Sequence, residues 1–206
     1  MESEPDADAS AEDTRSWIYR ELGGLFDRVP EELRFDQPES AVYPRTRQAI
    51  RALCREFPSH SHDALESELV SLCVNAPGGI PAPPYASWFL DGSLLGPSRD
   101  WAAEQYRRQG LETGADAGQP ADFVSIELEY LYFLCRHQRA ARLTGDDPAY
   151  AAACEAEAEF LREHLCRWLP RFAGSLAEAS PPPSVFGLVA QVLTAFCGEV
   201  QARLDG

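Results

Sequence analysis

Apolar residues along this chain recur at spacings of three and four positions, which is the repeat of an amphipathic helix. Leu65, Leu69, Leu72 and Ala76 show it clearly, and the apolar/polar alternation typical of a strand is not evident. The pattern predicts an all-α fold, a single-domain bundle of about seven helices. The predicted helices are one capped by Thr14, one after Pro44, one through Leu65 and Ala76, one from Ser98 to Gly110, one over residues 121–144, one from Asp147 to Pro170 and one after residues 181–183.

The fifth of these helices is apolar on almost every side. From residue 119 its sequence reads Gln-Pro-Ala-Asp-Phe-Val-Ser-Ile-Glu-Leu-Glu-Tyr-Leu-Tyr-Phe-Leu, so we expect it at the centre of the bundle. Pro120 and Asp122 open this helix. The Asp122 carboxylate either caps free N–H groups of the first turn or also faces a groove and meets a positively charged ligand group. The sequence leaves both alternatives open.

The segment of residues 77–97 is long, contains five prolines and is predicted to be irregular. Loops of this length are usually functional or disordered, and apolar side chains within them favour order. Tyr85, Trp88 and Phe89 are the aromatic residues of the segment. They are candidates either for the core or for the walls of a binding groove.

The charge balance restricts the partners that this chain can attract. Its 18 basic and 33 acidic residues give a net charge of −15, which disfavours nucleic acid and anionic membrane surfaces and attracts cationic partners. Residues 1–13 carry six acidic residues and no base, which predicts a disordered acidic tail ahead of a helical domain over residues 14–206. Alternatively, the acidity only keeps the protein soluble, and the sequence leaves this alternative open.

The six cysteines lie within helical apolar patterns and form no C-x-x-C pair, which indicates small buried side chains in a reducing compartment. They are Cys54, Cys73, Cys135, Cys154, Cys166 and Cys197. No apolar run approaches the length of a membrane span, and the N-terminus lacks the pattern of a secretory signal. We therefore expect a cytoplasmic protein that is not inserted in a membrane and has no metal or other cofactor.

His60, His62 and Asp63 are the candidates for catalysis. A His-Asp pair in a helical protein is similar to the metal site of HD-type phosphohydrolases, in which the metal activates water. The alternative is a helix N-terminus with Ser61 as the cap and Asp63 in the first turn. His164, at the edge of an apolar helix face, is expected to be a structural histidine. The common nucleophile and phosphate-binding motifs are not found, and the sequence offers no catalytic set.

Several short motifs, in order and spacing, resemble the TorD/DmsD-type chaperones that mature redox enzymes. The first three are Tyr-Ala-Ser-Trp from residue 85, Leu-Leu-Gly from residue 94, and Tyr-x-x-x-Gly-Leu from residue 106. Pro-Ala-Asp from residue 120 with Glu-Leu from residue 127, and His-Leu-x-x-Trp-Leu-Pro-x-Phe from residue 164, complete the set. The resemblance covers roughly residues 15 to 200. It departs from the family at Phe123, where the family usually has histidine.

The resemblance implies a cytoplasmic, non-enzymatic chaperone that binds the twin-arginine signal peptide and the apo catalytic subunit of a molybdopterin-dependent oxidoreductase. Such a protein assists cofactor insertion and delays export until the cofactor is loaded. The peptide-binding positions implied are Tyr85, Ser87, Trp88, Pro120, Asp122, Phe123, Glu127, His164 and Trp168. The client, any binding of GTP and the choice between a monomer and a domain-swapped dimer stay open. A structural subunit that remains in its partner's complex is a further alternative.

Overall fold

The computed structural model describes residues 4–37, 41–111 and 118–205. Within these ranges it describes the side chains from residue 11 onward. These residues form eight helices and no β-strand, which confirms the all-α prediction. Two helices contain a π-helical turn, at Ile18–Leu22 and Leu161–Leu165. The helices are α1 (Glu4–Trp17, Ile18–Leu22 and Gly23–Asp27), α2 (Pro44–Glu56), α3 (His62–Cys73), α4 (Ala86–Leu90), α5 (Pro97–Arg108), α6 (Val124–Thr144), α7 (Asp147–Phe160, Leu161–Leu165 and Cys166–Ala179) and α8 (Val185–Leu204).

The core is built around α6 and α8. Helix α8 packs against α2 and the second half of α7, and α6 packs against α1 and the first half of α7. By length and composition α8 could cross a membrane, but 61% of its apolar window is buried inside the bundle, as in the core helix of a globular protein. Helix α6 is mostly buried or half-buried over its first half, where Glu129 is exposed, whereas Arg136, His137 and Arg139 in its second half are exposed.

The structure describes the acidic segment of residues 1–13 from Glu4 onward. Helix α1 begins at Glu4, Ala11 is 1% exposed, and the Glu12 carboxylate forms an ion pair with Arg142 at 2.6 Å. These contacts dock the end of the acidic segment on α6, which composition alone does not reveal. Thr14 therefore lies inside the helix instead of capping it, and its hydroxyl accepts a hydrogen bond from Arg47 at 2.6 Å. Residues 1–3 lie outside the described residues.

Helix α7 continues through Pro170, where the sequence predicted its end. A proline inside a helix removes the N–H that would bind the carbonyl four residues earlier. Here that carbonyl belongs to Cys166, and it accepts a hydrogen bond from the Gln201 amide of α8 at 3.5 Å. The neighbouring helix thus supplies a donor that the proline cannot, and the helix extends to Ala179.

The helix caps agree with the sequence in part. Ser61 caps α3 as expected, because its hydroxyl accepts from the N–H of Ala64 at 3.3 Å. The cap of α7 is Asp146, which accepts from the N–H of Ala149 at 3.0 Å, one residue before the predicted Asp147. A difference of one residue is within the usual spread of helix boundaries, since helix ends fray.

Candidate functional site

The segment that precedes α6 pairs with the segment that precedes α4. The N–H of Ala86 donates to the carbonyl of Asp122 at 3.0 Å, and the N–H of Val124 donates to the carbonyl of Pro84 at 2.9 Å. These bonds form an isolated antiparallel bridge between Tyr85 and Phe123. We call this region, residues 84–87 and 122–124, the α4–α6 junction.

Asp122 caps a helix other than the one that follows it. Its Oδ2 accepts a hydrogen bond at 3.0 Å from the backbone N–H of Ser87, in the first turn of α4, and its side chain is 0% exposed. The N-cap of α6 is Phe123, which makes no side-chain cap bond. Asp122 therefore caps α4 and not its own helix, because the pairing of the two segments turns the carboxylate toward α4.

The junction retains hydrogen-bonding capacity. Oδ1 of Asp122 and Oγ of Ser87 are both buried, and the structure gives neither a partner within the described residues. Leaving a buried polar atom without a partner costs about 1–3 kcal/mol. A protein keeps a buried polar atom without a partner only where the surrounding structure holds that atom in place. A ligand donor that reached Oδ1 of Asp122 would therefore form a hydrogen bond that the free protein does not make.

A second buried carboxylate lies one helical turn further along α6. Glu127 is 0% exposed, its Oε1 lies 2.7 Å from Nε2 of His164, and its Oε2 accepts from the indole N–H of Trp168 at 3.0 Å. Burial raises the pKa of Glu127, and His164 and Trp168 oppose that rise by favouring the carboxylate form. This trio joins α6 to α7 through groups that must stay dry to interact strongly.

Aromatic contacts connect this trio to α4 and α5. The His164 ring stacks on Trp101 of α5 at a centroid distance of 4.9 Å, and Trp168 stacks on Phe89 of α4 at 5.9 Å. The guanidinium of Arg171 donates to the carbonyl of Phe89 and lies 5.7 Å from the centre of its ring. Helix α4, only five residues long, is thereby fixed at its start by Asp122 and at its end by α7.

The outer side of this region exposes large apolar side chains. Trp88 is 46% exposed, Leu94 51% and Leu95 57%. We call these three residues the α4 surface. Exposed apolar groups that cluster along the chain and sit on a fixed support are typical of interaction sites.

The turn that carries the two leucines is held by Asp91. Its carboxylate accepts from both the N–H and the hydroxyl of Ser98, each at 2.9 Å, and a side chain at Gly96 would collide with it. Leu95 is in the left-handed region, with φ of 62°, a conformation that a non-glycine residue adopts only where its surroundings impose it. The sequence predicted that α5 begins at Ser98, but the Ser98 side chain serves the turn, and the helix begins at Pro97 after Gly96.

The structure brings most of the expected positions together. The rings of Tyr85 and Phe123 contact each other in the junction in a tilted arrangement, at a centroid distance of 5.4 Å. Pro120 is half-buried, and its carbonyl accepts from the N–H of Phe123 at 3.0 Å. Only Trp88 among the nine positions is classed as exposed. The buried members are Ser87, Asp122, Phe123, Glu127, His164 and Trp168.

Sequence reasoning missed several residues that build the region. Tyr106 is buried and its hydroxyl donates to the carbonyl of Ala121 at 2.7 Å, which fixes the residue next to Asp122. Trp101, Asp91 and Arg171 were likewise not singled out. The family motif that begins at Tyr106 was a signal for this tyrosine, whereas the contacts of the other three depend on chain segments far apart in sequence.

The residues of the phosphohydrolase alternative do not converge on a metal site. Nε2 of His62 lies 3.0 Å from the carbonyl of Val29, Nδ1 of His60 lies 3.0 Å from the Ser59 hydroxyl, and Asp63 is fully exposed. Within the described ranges, no three His, Cys, Asp or Glu residues are arranged to hold a metal ion. The capping interpretation of this segment is the one that the geometry supports.

The six cysteines are free thiols, four buried and two half-buried. Burial raises the pKa of Cys54 to about 11 and that of Cys73 to about 12. Thiols of this kind are poor nucleophiles at neutral pH, because the thiolate is the reactive form. They fit the expected role as small core side chains.

Known proteins of similar fold and sequence define the class. A crystal structure described as a candidate redox enzyme maturation protein from Archaeoglobus fulgidus superposes with a TM-score of 0.51 at 20% identity, and covers 91% of each chain. This likeness establishes the fold, an all-α bundle shared with that protein. The sequence model described as nitrate reductase delta subunit matches residues 39–174. The chain belongs to this family of TorD-type proteins, and the resemblance drawn from its sequence is confirmed.

Curated relatives carry the same family name over a shorter stretch. The chaperone protein TorD of Vibrio cholerae is 30% identical over 91 residues, which are 44% of this chain and 40% of the relative. That of Aggregatibacter aphrophilus is 25% identical over 122 residues, 59% of this chain and 52% of the relative. The alignments thus span about half of these relatives or less.

Proposed function

We propose that this protein is a cytoplasmic chaperone that binds the twin-arginine leader and the apo form of a molybdenum oxidoreductase catalytic subunit. It keeps the client available for cofactor insertion and delays export until insertion is complete. The proposal rests on the family, and the observation that carries it is the exposed α4 surface on its buried support. It assigns no catalytic step to this chain.

The chemistry of a twin-arginine leader suits this surface. Such a leader has a basic segment followed by an apolar segment, and burying one Leu or Phe side chain is worth about 1.5–3 kcal/mol. An exposed arginine–carboxylate pair contributes only about 0–1 kcal/mol. Contacts with Trp88, Leu94 and Leu95 therefore supply most of the affinity, and the net charge of −15 accelerates encounter and orients the arginines.

The buried positions act in this proposal by holding the α4 surface in place. Asp122 and Ser87 fix the start of α4, and Glu127 and Trp168 support its aromatic underside. Because Asp122 is fully buried, a leader arginine reaches its carboxylate only if the start of α4 moves. Tyr85, which is half-buried, and Trp88 are the expected positions for direct contact with the peptide.

Isothermal titration of the full chain with a synthetic twin-arginine leader tests the proposal. Binding that is lost or at least about tenfold weaker in Trp88→Ala and in Leu94→Ser/Leu95→Ser supports it. Leu143→Ser is the matched control, because Leu143 is exposed by 79% but lies at the far end of α6. No saturable binding by the unaltered protein, or an equal loss in the control, would overturn the proposal.

The family description favours one alternative, since it names a subunit of nitrate reductase. A subunit remains in the mature enzyme, whereas a chaperone leaves. Purification of the client from cells that express a tagged form of this chain separates the two. Equimolar recovery with the active, cofactor-loaded enzyme identifies a resident subunit, and recovery with the apo form alone identifies a chaperone.

A further inference from the structure

A cavity of about 450 Å³ lies between α1 and α6. Arg20 of α1 and Arg136 and Arg139 of α6 line it, together with Tyr132, Leu143 and Glu12. We call it the α1–α6 groove. Arg139 follows Val124, the first residue of α6, by fifteen positions, which corresponds to about 22 Å along the helix axis. The groove is therefore well separated from the α4–α6 junction.

The groove concentrates positive charge on an acidic protein. The chain carries a net charge of −15, yet three arginines line this cavity. The carboxylate in the lining, that of Glu12, forms an ion pair with a fourth arginine, Arg142, at 2.6 Å. The salt-screening length is about 8 Å at physiological ionic strength. A bound anionic group therefore senses the groove arginines, together with the neighbouring carboxylates of Asp13 and Glu21, more strongly than it senses the rest of the acidic surface.

The arginines retain capacity for a ligand. Arg139 lies 3.9 Å from its nearest carboxylate, Asp13, and its side chain is 61% exposed. Arg20 pairs with its own neighbour Glu21 at 2.5 Å. Arg136 is exposed, and within the part of the chain that the structure describes it takes part in no ion pair. The contacts of Arg139 and Arg142 with Asp13 and Glu12 show that this face of α6 already binds carboxylates presented by another helix.

The length of the row of residues that α6 contributes to the groove indicates the size of the ligand. Tyr132, Arg136, Arg139 and Leu143 follow one another at intervals of four, three and four residues, so they share one face of α6. This stripe extends over about 16 Å at 1.5 Å per residue, and it ends in a leucine that is 79% exposed. A small anion would occupy only part of it, whereas a polypeptide segment matches its length and its mixture of charge and apolar surface.

We propose that the α1–α6 groove binds an acidic segment of a partner polypeptide. Its carboxylates pair with Arg136 and Arg139, and an apolar side chain packs on Leu143. Such a segment is repelled by most of this acidic protein, which directs it to one face. The site prefers the charge opposite to that of a twin-arginine leader, so it stands independently of the function proposed for the α4 surface.

Fluorescence anisotropy with a fluorescein-labelled peptide of repeated Glu-Glu-Leu tests this site on the full chain. We expect saturable binding that weakens with added salt, and at least about a tenfold loss in Arg136→Glu/Arg139→Glu. Arg162→Glu/Arg167→Glu makes the same charge change at two exposed positions of α7 and is expected to bind as the unaltered protein does. Circular dichroism checks folding, and the exposed Arg136→Gln, with a smaller loss, provides a milder variant.

Three peptide-binding results would overturn the proposal: no saturable binding by the unaltered chain, an equal loss in the α7 variant, or equally strong binding of a Lys-Lys-Leu peptide. Displacement of the acidic peptide by micromolar inorganic pyrophosphate at matched ionic strength would also overturn it, because the groove would then be a site for a small anion. The leader-binding measurement on Arg136→Glu/Arg139→Glu is expected to give an unchanged affinity, which keeps the two sites distinguishable.

Discussion

The carboxylate of Asp122 accepts a hydrogen bond from the backbone N–H of Ser87 at 3.0 Å, across 35 residues of sequence. This bond ties the entry of α6, one of the two core helices, to the start of the short helix that presents Trp88. A substitution at Asp122 is therefore expected to alter the position of the α4 surface even if Asp122 does not contact a ligand.

Replacement of Asp122 separates a structural role from a binding role. Asp122→Ala leaves the buried N–H of Ser87 without its acceptor, so we expect a loss of about 1–3 kcal/mol in the free energy of unfolding, measured by urea denaturation. Asp122→Asn keeps an oxygen for that N–H and is expected to lose less. If Asp122→Asn is as stable as the unaltered protein but fails to bind a twin-arginine leader, the carboxylate itself contacts the peptide, and the positioning role is insufficient.

Glu127 is expected to make stability depend on pH. Its pKa is raised above the ordinary value of 4.5 by burial, so the folded state binds this proton more strongly than the unfolded state does. The contribution is fully present below pH 4.5 and is lost as pH rises through the raised pKa. Urea denaturation at a series of pH values should show this decline in the unaltered protein and a smaller one in Glu127→Gln. Parallel pH profiles for the two proteins would contradict the assignment.

Phe123→His would restore the residue that is usual in the family. Phe123 is 6% exposed and its ring contacts that of Tyr85, so a histidine there buries a polar ring in place of an apolar one. We expect a loss of about 1–3 kcal/mol in stability at neutral pH, and a larger loss at pH 5, where the imidazole is protonated. Phe123→Leu is the control for the lost ring without added polarity. Equal stability of Phe123→His and the unaltered protein would show that the site accommodates either residue.

The thiols are expected to react slowly in the folded protein. Burial raises the pKa of Cys73 and Cys135 to about 12, and their thiolates are scarce at pH 8. Titration with a chromogenic disulfide reagent should modify the half-buried Cys54 and Cys154 before the four buried cysteines. All six should react at once in denaturant. Rapid modification of Cys73 in the native protein would show that its surroundings open frequently.

Much of the fold could be predicted because helical periodicity is local. Helix α2 begins at Pro44 and α3 is capped by Ser61, as their sequences indicate, since a proline at a first turn and a capping hydroxyl act within one turn. The errors arose where distant contacts decide the outcome. Helix α7 passes Pro170 beside Gln201 of α8, and the Asp122 carboxylate caps α4 across 35 residues of sequence.

By itself, the sequence determined the helical class, the family and the set of residues around Asp122, Glu127 and Trp168. The motifs that contain these residues are short and contiguous, and they can therefore be recognised from the sequence. The tertiary structure alone decided which of them are buried, that Asp122 caps α4, and that arginines of α6 gather against α1. Those facts depend on groups that are far apart in sequence and meet only when the helices pack, because hydrogen bonds and ion pairs act over a few ångströms.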